Sequence, residues 1–443
     1  MRLFAHGIGG AKDLPIPAEY AIAGACAALA VSFTVLALAW RTPRFNVAGS
    51  PPPRRAPEWL EAVVDGAWFG PLLRVLGLAF FLYVGAAAVF GRDLLINPFF
   101  GVFFVLLWVG IVPMSLLFGP FYKAISPVRT INGMLARLSG SDPEAGLRDY
   151  PSRLGYWPAA LGLFAFVWFE LVYPFSTELG PARLWCAAYV GLMLIGGALF
   201  GNRFYENADP FEVYSSLVGQ LSVWGRDDDG HLVMRSPLAN LDLTPVRPGL
   251  LAVCSVLLGS TAFDSFKDSG FWVRRIQTWD GVDTDWLNLA ALLVFITAVG
   301  TLFAVATMAT GIHDGHKRLQ LPLEFAHSLI PIVVGYVIAH YLSYLVEVGQ
   351  QTVIYLSDPF STGRANYLGT GDRAVNYWLT YHPTFLAVTK VGGVIVGHVL
   401  AVIAAHDRAV KLLPQRHQLT GQLPLLVVMV GFTIGGLYLL FGA

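Results

Sequence analysis

Charge is scarce in this 443-residue chain: Asp, Glu, Lys and Arg make up 13% of it, and 29 basic residues balance 29 acidic ones. With no net charge and no Lys/Arg-rich stripe, it carries no electrostatic footprint for nucleic acid. Cysteine is scarcer still. Cys26, Cys186 and Cys254 lie in apolar stretches and none belongs to a CxxC pair, which excludes a disulfide framework and a thiolate metal centre. Also missing are a GxSxG elbow, a P-loop and a GxGxxG between strand and helix; Gly7-Ile8-Gly9-Gly10 reads as a tight turn. The amino terminus has no apolar core ahead of the first candidate cleavage point after Ala5, so no removable signal peptide is expected and the first span is its own insertion signal.

What the chain has in abundance is apolar surface. Hydrophobic residues make up 55% of it and the mean hydropathy is +0.59, far above a soluble protein of this size. The pattern predicts an all-α polytopic transmembrane helical bundle, a single integral membrane domain with lipid as its surroundings. Ten windows are apolar enough to cross a bilayer, at about 20–40, 70–90, 98–118, 157–173, 182–201, 249–266, 286–310, 322–348, 384–405 and 423–441. Pro113 and Pro331 fall inside the third and eighth and should kink them. Alternate loops hold 18 and 9 Lys/Arg residues, which predicts a plasma-membrane protein with both termini outside. Arg74 and Lys390 lie within spans, close enough to an end to snorkel.

The two longest inner loops, 119–156 and 202–248, look duplicated. Phe121-Tyr122, Pro127 and Leu138-Ser139 recur 83 residues later as Phe204-Tyr205, Pro210 and Leu221-Ser222. Such an offset predicts an internal repeat of parallel topology. Pro51-Pro52-Pro53-Arg54-Arg55 reads as a stiff linker. The external loop 349–383, rich in Gly, Asp, Asn and Tyr, is long enough to cover a site.

Within the eighth window Tyr336, His340, Tyr344, Glu347 and Gln351 follow at spacings of four, four, three and four, and so stack on one helix face. Polar side chains at that depth are costly and mark function. At a similar outer level lie Glu170, Asp264 and Lys390, with His6, Asp13 and His382 on flanking segments. Carboxylates with imidazoles can ligate a divalent metal, here His6, His340 and Glu347 for zinc, copper or manganese. They can equally form a proton relay or a cation-coupled transport site. Glu170, Asp264, Tyr344 and Lys390 are the candidate catalytic groups beside it. A second level, His313, His316, His327, His398, His406 and His417, lies at the inner end; His313, His316 and His406 read as cations at helix C-termini. Separations of 13 for His327 and His340, and of 8 for His398 and His406, disfavour stacked haems held by two helices and leave open one haem spanning two helices.

Several segments together resemble one family. They are His6-Gly7-Ile8-Gly9-Gly10 with Asp13-Leu14-Pro15-Ile16-Pro17, Ser260-Thr261-Ala262-Phe263-Asp264-Ser265-Phe266, Ala339-His340-Tyr341-Leu342-Ser343-Tyr344 with Ser357-Asp358-Pro359-Phe360, and Val396-Gly397-His398-Val399. The family is that of bacterial, often actinobacterial, multi-span proteins labelled fenitrothion hydrolase. The resemblance spans nearly the whole chain. It implies hydrolysis of an organophosphate ester and a mature amino terminus at His6, although only five residues precede it here. Under that reading a divalent metal on some of His6, Glu170, Asp264, His340 and Glu347 would polarise the phosphoryl oxygen. The rival expectations are a metal-ion or small-molecule transporter, an accessory subunit of a respiratory complex, and a scaffold in a membrane complex.

Overall fold

Proline and capping residues set where many helices begin. Pro98, Pro127, Pro210 and Pro383 each sit in a first helical turn, where the missing amide would have lacked an intrahelical partner anyway. Asn97 accepts the Phe99 amide at 3.0 Å, a side-chain cap on the helix that follows. The computed structural model describes residues 11–47, 50–279, 281, 283–310, 317–414, 417–418 and 420–441. His6, Gly7 to Gly10, His313 and His316 therefore lie outside the described residues.

In chain order the helices are α1 (Ala18–Ala39), α2 (Phe69–Phe90), α3 (Pro98–Gly101, continued by a π-helical stretch over Val102–Leu107), α4 (Ile111–Phe118), α5 (Phe121–Ile125), α6 (Pro127–Leu138), α7 (Trp157–Leu171), α8 (Leu179–Phe200), α9 (Asn202–Ala208), α10 (Pro210–Gly219), α11 (Leu250–Lys267), α12 (Thr284–Met308), α13 (Leu321–Phe325), α14 (Ile330–Ser343), α15 (Gly349–Tyr355), α16 (Pro383–Leu412) and α17 (Leu423–Phe441). Other helices and turns, among them Gly270–Thr278, connect them.

Among the described residues, eight helical segments are long and apolar enough to cross a membrane. They coincide with eight of the ten windows. The third window is a pair, α3 and α4, bent by 47°, and the fourth is α7, of 15 residues. The bend has a local cause: Pro113 offers no amide to the Val109 carbonyl, and the helix breaks between Leu107 and Ile111. Likewise Pro331 offers none to the His327 carbonyl, and a 3-10 turn over Ala326–Leu329 precedes α14. Only 17% of α2 and of α8 is buried, against 67% of α11 and 78% of the segment Arg318–Tyr355. Apolar side chains such as Leu192, Val294 and Val427 stand exposed, as lipid-facing helices require.

By internal contacts the chain divides into two units. The described parts of Met1–Pro51, Leu241–Tyr344 and Tyr377–Ala443 form the first, and Pro52–Asn240 with Leu345–Asn376 the second.

In the first unit α14 and α16 cross at glycines. A Cβ on Gly397 would stand 2.6 Å from the Pro331 carbonyl oxygen and 3.2 Å from the Gly335 Cα, and one on Gly393 would stand 3.2 Å from the Gly335 oxygen. Such small residues let two apolar helices approach to backbone contact. Gly259 does the same for α11 against α12, at 2.6 Å from the Ile296 Cα. Polar groups gather where α16 ends. Asp242 accepts from Lys411 at 2.7 Å, Asn46 at 3.0 Å and Arg408 at 3.2 Å, while Arg408 also reaches Glu324 at 3.1 Å. His406 bridges the Trp40 carbonyl oxygen, at 2.8 Å, and Gln422 Oε1, at 3.0 Å, so it ties chain segments together and does not cap a helix end.

The second unit is built around two broken helices, α5–α6 and α9–α10. Each is interrupted before a proline, at Ser126 and at Asp209, both extended as a residue before proline prefers. An aromatic core packs around them: Phe166 lies 5.0 Å from Trp108, 5.1 Å from Phe103 and 5.4 Å from Phe211, centroid to centroid. A small antiparallel sheet joins β1 (Arg54–Arg55), β2 (Trp224–Arg226) and β3 (Leu232–Met234) in the order β1-β3-β2, with Arg54 opposite Met234 and Gly225 opposite Val233. The proline-rich linker thus ends as an edge strand, as proline allows.

Candidate functional site

Two buried helices of the first unit bring the strongest polar cluster together. On α11 the sequence Phe263-Asp264-Ser265-Phe266-Lys267 places Asp264 and Lys267 one turn apart, with Ser265 next to Asp264. On α14, Tyr336 and His340 are one turn apart and Tyr341 follows. Their side chains meet: His340 Nε2 lies 3.0 Å from Asp264 Oδ2, and its Nδ1 3.0 Å from Ser265 Oγ. Tyr341 donates its hydroxyl to the same Asp264 oxygen at 2.8 Å, and the Lys267 ammonium stands 2.7 Å from Oδ1. Ser265 Oγ is also 3.1 Å from the Tyr336 hydroxyl.

One tautomer gives a continuous proton order. With its hydrogen on Nε2, the His340 ring donates to Asp264 and accepts from Ser265, which in turn accepts from Tyr336; the Thr261 carbonyl oxygen, 3.3 Å from Ser265 Oγ, is the alternative acceptor for the serine proton. The chain Tyr336–Ser265–His340–Asp264 is thus continuous, with Lys267 and Tyr341 holding the carboxylate at its end. It is also sealed: Asp264 is 0% exposed, His340 5% and Ser265 8%. In such surroundings a fully hydrogen-bonded network is strong and fixes each ring and hydroxyl in place.

Of the sequence stripe, Tyr336 and His340 face α11, where they meet Ser265 and Asp264. Tyr344, buried in the same unit, is seen beside Tyr341 with ring centroids 6.2 Å apart. Lys390, 1% exposed on α16, lies one turn beyond Gly393, at the height of His340 on the antiparallel neighbour, and feels the Asp13 carboxylate. Glu347 and Glu170 belong to the second unit; Glu347 is buried in the π-helical stretch Tyr344–Val348, and the Glu170 carboxylate oxygens near the end of α7 are shielded from solvent. His382 is near the surface, stacked on Trp378 at 4.2 Å. His327 and His398, on separate turns, each bond a carbonyl oxygen of their own helical segment, Glu324 and Val394.

A divalent metal fits this donor set poorly. Both ring nitrogens of His340 are engaged by Asp264 and Ser265, so ligation would break one of those bonds. Among the described residues no three His, Cys, Asp or Glu side chains are disposed to hold a metal ion.

Sequence reasoning missed Ser265, Lys267 and Tyr341. Tyr341 is one residue, about 100° of helix, from His340 and off the predicted stripe, yet a phenol is long enough to reach around to Asp264. The polar run Asp264-Ser265 beside Lys267 at the end of an apolar span was the available signal for the other two. Compared with family models, with curated proteins and with solved structures, the chain matches none.

Proposed function

We propose that this is a proton-handling transport protein of the bacterial plasma membrane, with ten spans, both termini outside and a duplicated block in its second unit. The observation that carries the reading is the placement of His340, with a hydroxyl on one ring nitrogen and a carboxylate on the other inside two apolar helices. An imidazole so held takes a proton at Nδ1 from the Tyr336–Ser265 side and gives one up from Nε2 toward Asp264. Asp264 stabilises the intermediate imidazolium, and Lys267 sets how strongly. Proteoliposomes carrying the full-length protein and an internal pH dye test this. Proton flux should fall by about 10²-fold in His340→Ala and in Asp264→Asn, the range of a lost acid–base group; flux equal to wild type in both would end the proposal.

A second reading rests on the same contacts. Ser265, His340 and Asp264 stand in the order of nucleophile, base and orienting carboxylate, although the serine is on Nδ1 and the carboxylate on Nε2, the reverse of the serine hydrolases. This supports ester hydrolysis, the activity that the family resemblance implies, by a serine route. Burial weighs against it, since Ser265, a residue 8% exposed, gives an organophosphate little access. Covalent labelling by a fluorophosphonate, lost in Ser265→Ala, would favour hydrolysis over transport.

A further inference from the structure

The second unit contains its own hydrogen-bonded chain. Ser126 and Asp209, at the 83-residue offset found in the sequence, both precede a proline and both cap the helix that follows. Two phenols lead from Asp209 back toward the first block: Tyr189 donates to Asp209 Oδ1 at 3.1 Å, and Tyr122 Oη lies 3.2 Å from Tyr189 Oη. Oδ1 also accepts the Phe211 and Glu212 amides, at 3.0 and 3.3 Å.

That leaves Oδ2. It is buried, on a residue with 0% exposure, and receives no hydrogen bond among the described residues. Capping α10 needs only Oδ1, so the helix end does not account for the second oxygen. A buried carboxylate oxygen without a donor is costly, and binding a proton removes the cost. The groups facing Asp209 supply little positive charge. Glu212 is held by Arg129 at 2.7 and 2.8 Å, and Lys123 is engaged by Glu206 at 2.7 Å. Tyr205 on α9 adds a phenol, α7 meets this turn with Gly162 and Phe166, and α4 with Ser115. Burial first, and then the Glu212 carboxylate, push the Asp209 carboxyl up to about 7. Asp209 lies between spans, outside the membrane-crossing helices.

We propose that Asp209 is a proton-binding site fed through the Tyr122–Tyr189 hydroxyl pair, giving the second unit a protonation event of its own. In uptake, a proton arriving at Tyr122 sends that phenol's proton to Tyr189 and Tyr189's to Asp209 Oδ1, which leaves the donor-less Oδ2 as an uncharged carbonyl oxygen. Each hydroxyl oxygen loses one proton and gains one, and the carboxylate ends neutral; release is the reverse.

Infrared difference spectroscopy of the full chain in lipid nanodiscs, titrated through neutral pH, tests the site. A protonated-carboxyl band should grow as pH falls and be absent in Asp209→Asn, which keeps a capping oxygen and so the fold. Tyr189→Phe leaves the carboxyl and both amide bonds intact. It should keep the band while slowing dye-detected proton uptake after a pH jump by about tenfold. A wild-type band that does not titrate, or one that persists in Asp209→Asn, overturns the site; uptake at the wild-type rate in Tyr189→Phe overturns the chain. His340→Ala should leave the Asp209 band in place, so failure of the first-unit relay and failure of this site are separable.

Discussion

Arg129 and Glu212, 83 residues apart, form a two-pronged ion pair: Nε donates to one carboxylate oxygen at 2.8 Å and Nη2 to the other at 2.7 Å. The offset equals that of the repeated loop motifs, and Lys123 pairs with Glu206 at the same separation. In each pair the basic residue comes from the first block and the acidic one from the second. Related blocks facing one another across a local two-fold would produce contacts of this kind. The Arg129 side chain is 11% exposed and that of Glu212 1%. Removing one partner leaves a buried charge, so we expect Arg129→Ala or Glu212→Ala to cost about 3–5 kcal/mol. Thermal unfolding in detergent would measure it. Exchanging the pair, Arg129→Glu with Glu212→Arg, should recover part of the loss; no recovery would mean that the surroundings of each side chain matter more than the pair.

At the first-unit cluster, conservative changes should separate chemistry from packing. Tyr341→Phe removes one donor to Asp264 and keeps the ring, so we expect about 1 kcal/mol of lost stability, the size of one hydrogen bond, and a modest fall in flux. Ser265→Ala should stop proton entry to His340 Nδ1 and reduce flux by at least about tenfold with little change in unfolding temperature. Equal flux in Ser265→Ala and wild type would show that protons reach His340 by another route.

The glycine crossing offers a steric test. Gly397→Ala would bring its methyl to 2.6 Å from the Pro331 oxygen and force α14 and α16 apart, whereas an added Cβ on Gly392 meets nothing within 4 Å. We expect Gly397→Ala to destabilise by about 1–3 kcal/mol, the range of overpacking. Gly392→Ala should be neutral or slightly stabilising, because alanine favours helix. Denaturant titration of the two variants side by side checks the contrast.

Asp242 gives a pH dependence of defined sign. Burial by itself would raise its carboxyl, but the hydrogen bonds from Lys411 and Asn46 and the Arg408 charge outweigh it and hold the group below the usual carboxylate range. A carboxyl depressed in the folded state contributes stability that is complete above its unfolded pKa and is lost as pH falls through the folded one. Unfolding temperature should therefore drop in acid more steeply for wild type than for Asp242→Asn. Parallel curves below the ordinary carboxylate range would show that this cluster does not control acid stability.

The sequence by itself determined what kind of molecule this is. Hydropathy over about 20 residues is a local property, so the long apolar windows became helices, and the bend before Pro113 and the 3-10 turn before Pro331 each follow from one missing amide. It also marked Asp264 and His340, because charge and imidazole inside apolar helices stand out against their neighbours. Tertiary structure decided their partners. That Ser265, Tyr341 and Lys267 close around Asp264 depends on the rotation and height of α11 against α14, and no short-range pattern encodes these. Arg129, Glu212 and Asp209 show the same limit more sharply. They lie in segments read as inner loops, where no pattern singled them out. Only the meeting of α5–α6 with α9–α10 buries them, and burial is what turns a surface charge into an ion pair or a proton site.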